Sequence, residues 1–595
     1  MLGVERSATG RRWVPRDFDD RTALALAQRL GLSEALGRVL AARGVDLDTA
    51  DEYLTPTLRS ALPDPSVFQD MDVAADRLVA AIKSAEPVAI FGDYDVDGAT
   101  SAALLSRLFR AVGGVVRTYI PDRITEGYGP NGPAMQQLAK DGAKVVVTVD
   151  CGISAFEALE VAAGAGLDVI VVDHHAAEAK LPQALAVINP NRLDESGEFG
   201  ALAAVGVAFL LAVAVNRALR RADWYTSGRP EPDLLEWLDL VALGTVCDVV
   251  PLVGLNRALV IQGLKVMAGR RNLGIKALAD AAGMSEPPGT YHAGFVLGPR
   301  VNAGGRVGRS DLGARLLATS DPVEAAKLAA ELDTHNAERK AIEAGVLEAA
   351  QAMVGEENPG PVVIVAGRDW HPGVIGIVAA RLKEQWRRPA VVIALNDGIG
   401  KGSARSVRGV DLGAAVIASR QAGLLVNGGG HPMAAGLTVT EDQLEALKTF
   451  LADHIGPQMA QVADAHDLSL DGVVTSGAAN MEFLTNLERA GPFGSGNPEP
   501  RFAVTSAKIV RPSVVGNGHV RMILGGGRGS GASGLIAIAF RAADGPLGKV
   551  LLSARGVPVH VAGNLRANHW QGTTKPQLIV QDAAVAMPGA ESNRA

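Results

Sequence analysis

From Pro87 the chain alternates short apolar runs with helical stretches, and no other feature constrains its fold as tightly. Residues 88–91 read as a buried strand and 100–112 as a helix. Residues 115–120, 144–149 and 168–172 read as further strands, with helices at 131–140 and 155–163 between them. Such alternation predicts an α/β fold with a parallel sheet covered by helices on both faces. Sheets of that class bind ligands beyond the carboxyl ends of their strands. Here those ends are acidic: the first strand runs into Gly92-Asp93-Tyr94-Asp95-Val96-Asp97-Gly98, the third into Asp150-Cys151-Gly152, and the fourth into Asp173-His174-His175.

Three carboxylates within one turn repel each other unless a cation or a proton intervenes. Hard divalent ions such as Mg²⁺ or Mn²⁺ favour oxygen and imidazole donors of this kind, and a solvated acidic turn is the alternative. One acidic turn decides little. Asp95, Asp97, Asp150, Asp173 and His174 on a single rim would form a constellation. Residues 233–243 read as a helix leading into Gly244-Thr245-Val246-Cys247-Asp248, so Asp248 either joins that rim or caps the helix.

A chain of 595 residues exceeds what one core holds, so several domains are expected. The net charge of −7 gives no support to nucleic-acid binding as a global property, and a DNA enzyme would depend on local basic surface. Only Cys151 and Cys247 occur, which suits a reducing, cytoplasmic setting, and both are expected to fill small buried spaces rather than bind metal. The apolar stretch 201–215 is too short to span a bilayer and runs into Asn216, Arg217, Arg220 and Arg221, so it reads as a buried helix. Residues 1–70 read as an N-terminal extension that is no secretory signal. Its Arg6, Arg11, Arg12 and Trp13 are expected in a loosely ordered terminus.

Asp321-Pro322-Val323-Glu324 has the form of a helix start, and the run to 354 reads as one long helix joining two bodies. Past a boundary at 356–361, strands at 362–366 and 390–395 flank a helix at 373–385. Two glycine-rich segments, 400–408 and 427–432, allow the backbone to approach a ligand closely, and a flexible surface loop is the competing reading. Lys401, Ser403 and Arg405 in the first are donors suited to phosphate. After 467 the composition turns to short β runs broken by glycine, which suggests a small barrel of OB type. Its Arg511, His519, Arg521, Arg566, His569, Trp570 and Lys575 are candidates for tracking a single strand.

With these pieces placed, the chain resembles the RecJ family of single-strand-specific DNA exonucleases within the DHH phosphoesterase superfamily. The resemblance rests on GDYDVDG at 92–98, TVDCG at 148–152, VDHH at 172–175 and GTVCDVVPL at 244–252. It continues with GPRVNAGGR at 298–306, HPGVIGIVAARL at 371–382, GSARS at 402–406, GGGHPMAAG at 428–436 and PFGSGNPEP at 492–500. It implies a DHH domain over 71–320, a connecting helix over 321–355, a DHHA1 domain over 356–466 and an OB-fold domain with tail over 467–595. By motif position, Asp95, Asp97, Asp150, His174 and Asp248 are implied ligands of two Mn²⁺ or Mg²⁺ ions, with Asp150 bridging. Asp93 is implied as a ligand or water-positioning group and His175 as the contact to the scissile phosphate. Arg300, Asn302, Arg306, Ser403, Arg405 and His431 are implied substrate contacts. The implied activity is 5′→3′ release of mononucleotides from single-stranded DNA in repair and recombination, by a cytoplasmic monomer with no membrane association. Replication or repair proteins such as single-strand-binding protein are implied partners. Two alternatives stand: a small-substrate phosphodiesterase of the same superfamily, and an inactive replication or repair scaffold.

Overall fold

The structure is a computed structural model that describes residues 1–123, 125–355, 359–462, 467–525, 534–554, 556–570 and 572–586, with the backbone alone at Trp570. Part of the expected boundary at 356–361 and the Trp570 side chain therefore lie outside the described residues. The chain divides into two compact units. One comprises Pro63–Val250 and Leu259–Asp464, the other Met1–Leu62, Pro251–Ala258 and Ala465–Ala595.

In the first unit, five described strands form a parallel sheet in the order Val116–Tyr119, Val88–Gly92, Val145–Val149, Asp168–Val172, Ala186–Ile188. Every residue of Val88–Gly92 and Val145–Val149 is buried, as expected of continuous apolar runs covered on both faces. The chain leaves its first strand to one side and returns on the other, so the order reverses between Val88–Gly92 and Val145–Val149. That switch point opens a crevice at the carboxyl ends of these two strands. Asp93 and Asp150 are the residues that follow them.

The helix Val96–Ala111 starts on Asp95, whose side chain accepts from the Asp97 and Gly98 amides. The apolar stretch after 201 forms the helix Ala204–Arg221, longer than its apolar residues alone suggested. Its polar end is kept in register by Asn216, which donates to Glu231 at 2.7 Å, and by an Arg220–Glu231 ion pair.

The long helix spans Pro322–Val354 and is capped by Asp321. Beyond it, five described strands form a mixed sheet in the order Asn427–His431, Ala434–Thr440, Ile399–Arg405, Ala390–Asn396, Val363–Arg368. Both glycine-rich segments are therefore mainly strands, which sets aside the competing reading of a flexible surface loop. Ile399–Arg405 pairs antiparallel on both sides, so its backbone groups are spent on ladders and its side chains are fixed in direction.

The second unit contains a barrel-like sheet of six described strands: Gly472–Val474, Arg501–Val515, His519–Gly525, Leu535–Ala539, Thr573–Val585 and Val559–Trp570. It is closed by pairing of Arg501–Val515 with Val559–Trp570. Its core holds Phe502, Val504, Met522 and Leu578 together with Leu26, Leu36, Val39 and Leu40 from the N-terminal helices.

The expectation of a loose terminus is overturned here. Arg12–Pro15 forms a strand paired parallel with Asp467–Leu470, and Trp13 is fully buried with Nε1 donating to Asp582 at 3.0 Å. The stabilising partners lie more than 450 residues away, where no local pattern reveals them. Among the described residues, no helix is long and apolar enough to cross a membrane.

Candidate metal and phosphate site

The acidic turn after the first strand is held by close backbone packing. A Cβ on Gly98 would lie 2.5 Å from the Asp93 carbonyl oxygen and 2.7 Å from its nitrogen, so the first turn of the helix lies against Asp93 because residue 98 has no side chain. The amides of Asp93, Asp150 and Asp173 donate to Val149, Val172 and Ile188 respectively, which sets three acids in a staircase along the rim. Asp150 sits in the left-handed region at φ 60°, and Val249, just past Asp248, at φ 64°. An aspartate tolerates that conformation better than most residues, and outliers of this kind gather where a site requires them.

The expected ligands converge. One ligand atom each from Asp93, Asp95 and Asp150 lie within 4.8 Å of one another, as do those of Asp97, His174 and Asp248, and those of Asp150, His174 and His175. His174 Nε2 stands 3.3 Å from Asp150 Oδ1, 3.6 Å from Asp248 Oδ2 and 3.9 Å from Asp97 Oδ2. Asp248 is both the residue that caps the C-terminus of the helix Leu238–Cys247 and a member of the clustered donors.

Asp97 has a second task. Its oxygens accept from the Ala204 and Val205 amides at 2.7 and 2.9 Å, which supplies the start of the helix Ala204–Arg221 with the cap that Ala203 lacks. Each carboxylate oxygen retains a further lone pair.

Asp173 does not serve as a rim ligand. Its Oδ1 accepts from the amides of His174 and His175 and from His175 Nδ1 at 2.7 Å, and its Oδ2 accepts from the Ile153 amide, so it is engaged in holding the turn and stands in none of the clustered donor groups among the described residues.

Burial, then the neighbouring carboxylates, drives the Asp93, Asp97 and Asp150 carboxyls well above the usual carboxylate range. The same causes, burial foremost, raise Asp248 to about 7. Burial and the adjacent His175 lower His174 to about 4, which leaves its ring neutral. Burial also opposes charge on His175, but the hydrogen bond and charge of Asp173 outweigh it and raise that ring to about 9.

Asp93 Oδ1, His174 Nε2 and Asp248 Oδ2 are buried with no hydrogen-bond partner. An orphaned buried polar atom costs about 1–3 kcal/mol, and hard divalent cations held by these donor groups would satisfy such atoms while neutralising the carboxylates. The donor set therefore fits Mn²⁺ or Mg²⁺.

The expected phosphate contacts fall into two groups. Ser403 and Arg405 lie together on one strand, with Arg405 Nη1 donating to Ser403 Oγ at 3.2 Å. Gly376 leaves space over them: a Cβ there would lie 3.0 Å from Ser403 Oγ and 3.1 Å from Arg405 Nη2. Arg306 donates to the Gly373 carbonyl at 3.0 Å. Burial, then Arg123 and Arg339, lowers its pKa to about 10, so it stays charged at neutral pH. Arg300 is committed elsewhere, to Asp333 at 2.8 Å and the Val296 carbonyl at 2.7 Å, which makes it a brace to the long helix. Asn302 is half-buried and His431 exposed. In the barrel, Arg566 is paired with Glu499 and His569 with Thr574, while Arg511, Arg521 and Lys575 are exposed.

Several residues in and around the site escaped the sequence reading. Tyr128 donates to the Asp150 carbonyl at 3.0 Å, and Asn189 and Asn191 donate to the His175 and His174 carbonyls at 2.9 and 2.5 Å. Arg123 lies over the Tyr94 ring at 5.0 Å, adding a cation beside the carboxylates. Asn189-Pro190-Asn191 was the only local signal, as a turn former following a strand.

Comparison with known proteins accounts for this arrangement. The DHH family N-terminal domain matches residues 87–245, the DHHA1 domain 359–456 and the RecJ OB domain 470–582. The single-stranded-DNA-specific exonuclease RecJ of Bacillus subtilis is 34% identical over 97% of this chain and 71% of its own length. The crystal structure of RecJ from Thermus thermophilus in complex with Mn²⁺ superposes with a TM-score of 0.79 at 29% identity, covering 96% of this chain and 79% of that one. The same protein in complex with Mg²⁺ gives 0.73 at 27% identity, covering 96% and 78%. The three domains in order, the whole-chain likeness and the clustered donors lead to one conclusion: this chain belongs to the RecJ family.

Proposed function

We propose that the chain is a metal-dependent exonuclease that degrades single-stranded DNA from its 5′ end to 5′-mononucleotides, acting in repair and recombination. The observation that carries this reading is the convergence of Asp93, Asp95, Asp97, Asp150, His174 and Asp248 around buried donor atoms that lack partners. In this reading Asp95, Asp97, Asp150, His174 and Asp248 hold two Mn²⁺ or Mg²⁺ ions, with Asp150 shared between them and Asp93 positioning water. Bound there, the ions supply a nucleophile at neutral pH and offset charge on the phosphoryl oxygens.

The protein's own groups do the rest. His175, held through Nδ1 by Asp173, keeps a proton on Nε2 and presents it to the scissile phosphate or its leaving oxygen. Ser403, Arg405 and Arg306 offer donors for the terminal phosphate, and Arg123 adds charge beside them. Asn302 and His431 contact the strand, and Arg300 keeps the helix that carries Asn302 and Arg306 against Asp333. Residues 71–320 act as the catalytic DHH domain, 356–466 as the DHHA1 domain, and the OB barrel binds single-stranded DNA. The enzyme works as a cytoplasmic monomer and meets single-strand-binding protein on its substrate.

The test is digestion of 5′-labelled single-stranded DNA, duplex DNA and dinucleotides with Mn²⁺ and with chelator. Release of mononucleotides from long single strands only with metal is the expected result. Preference for dinucleotides, or strand binding without turnover, would overturn the reading.

A further inference from the structure

The helix carrying Arg300, Asn302 and Arg306 is preceded by an irregular turn. Pro299 has no N–H to give the Phe295 carbonyl, and its ring crowds that carbonyl. The chain responds with a wider, π-helical turn over His292–Leu297, and Arg300 Nη1 takes the Val296 carbonyl at 2.7 Å. Turns of this type are rare and recur at functional sites.

One side of the turn is fixed against the segment that leads into Asp248. The Cys247 thiol donates to the Ala293 carbonyl at 3.4 Å, a Cβ on Gly294 would lie 3.4 Å from Val246 Cγ1, and one on Gly298 would fall 2.4 Å from Cys247 Sγ. The turn is thus seated on Val246 and Cys247, directly before a carboxylate of the metal centre. Elsewhere on it, Tyr291 and Phe295 are 55% and 73% exposed. Their rings are already stacked on each other, with centroids 5.5 Å apart and planes 24° apart. Val249, the residue after Asp248, is 68% exposed.

We propose that Tyr291 and Phe295 form a base-stacking platform for single-stranded nucleic acid beside the carboxylate centre. The proposal rests on the phosphodiesterase reading above and assigns it a further contact. Three features favour a nucleic-acid strand over a protein surface as the occupant. The two rings form a narrow flat pair rather than the broad apolar patch a protein interface needs. Polar neighbours bound them, with His292 facing Glu286 at 3.8 Å. The turn that carries the pair is also packed on Val246 and Cys247, the residues directly before Asp248 of the centre. Aromatic faces accept every base, which suits a nuclease indifferent to sequence.

The test measures affinity for a 5′-phosphorylated single strand, with chelator present to halt cleavage, in the full chain carrying Tyr291→Leu, Phe295→Leu or Phe295→Trp. The leucine variants keep apolar bulk and helix propensity but lose the flat face. Each should lose affinity by about tenfold, the scale of one stacked base, whereas Trp should retain it. One abasic site, stepped along the strand, should weaken wild-type binding similarly at one or two positions and cost the leucine variants nothing further there. Leucine variants that bind as tightly as wild type, or abasic penalties that persist in them, overturn the platform. Wild-type protein that fails to degrade the strand when metal is added overturns the functional reading instead, so the two failures are distinct.

Discussion

Against the opposing effect of burial, His175 owes its charge first to Asp173, with the Asp248 and Asp95 carboxylates adding to it. Its Nδ1 lies 2.7 Å from Asp173 Oδ1, and that pairing overcomes burial to hold the ring near 9. Asp173→Asn in the metal-free protein should bring the ring back toward 6.5, read by NMR titration of its imidazole carbons; an unmoved value would mean another group holds the proton. A folded-state pKa above the unfolded value means that the pair's stabilisation is complete below about pH 6.5 and is lost as pH rises through about 9. Asp150 allows a second residue-scale test, because asparagine also tolerates its left-handed backbone at φ 60°. Asp150→Asn should therefore keep the turn and the DNA affinity while hydrolysis falls well over a hundredfold, beyond the roughly 10–100-fold typical of losing a group that only supports a ligand. Near-normal turnover in a gel assay would contradict its place as the shared ligand. Asp93, Asp150 and Asp173 were legible in the sequence because each directly follows a strand-like run, and Asp95, Asp97 and His174 because they lie within the same short turns. The orienting task of Asp173 was not, since it depends on amides and a ring nitrogen brought round by the turn itself.

At the scale of elements, the helix Leu238–Cys247 must approach Asp97 closely for Asp248 to reach the rim. Gly244 makes room: a Cβ there would lie 2.3 Å from Thr100 Oγ1 and 3.0 Å from Asp97 Oδ1. Gly244→Ala should push the two helices apart, costing about 1–3 kcal/mol of stability. It should also weaken Mn²⁺ binding tenfold or more. Calorimetric metal titration alongside thermal unfolding separates the effects, and unchanged metal affinity would mean that helix spacing does not set the site. The strand–helix alternation announced itself through short runs that are almost wholly apolar. The glycine-rich segments were less legible because glycine is equally at home in a mobile loop and in a strand such as Ile399–Arg405 that is packed from both sides.

At the scale of the whole molecule, folding stability should respond to the cations themselves, because they bind the folded carboxylate cluster and leave the unfolded chain alone. Mn²⁺ at a hundred times its dissociation constant should add about 2.7 kcal/mol, visible as a higher unfolding temperature that chelator reverses. No shift would argue against a site built from these buried acids. In the unit containing the barrel, Trp13→Ala removes a fully buried indole and its bond to Asp582, a change that costs about 3–5 kcal/mol in a packed core. Hydrogen exchange in Val559–Trp570 and Thr573–Val585 should accelerate accordingly. Fold class and domain order could be read along the chain. The marriage of its first segment to its last could not, because Arg12 and Asp467 meet across 455 residues.

That pairing has a consequence during synthesis. Leu26, Leu36 and Leu40 leave the ribosome early, yet the strands that cover them start near residue 472. At about 5–20 residues per second, these leucines remain without their native cover for roughly 20–90 s. The nascent chain must therefore carry an uncovered greasy face through most of translation, and a transcript broken before the barrel would yield a product with that face permanently bare. Chaperone crosslinking on stalled ribosomes should place the trapped contact at these leucines.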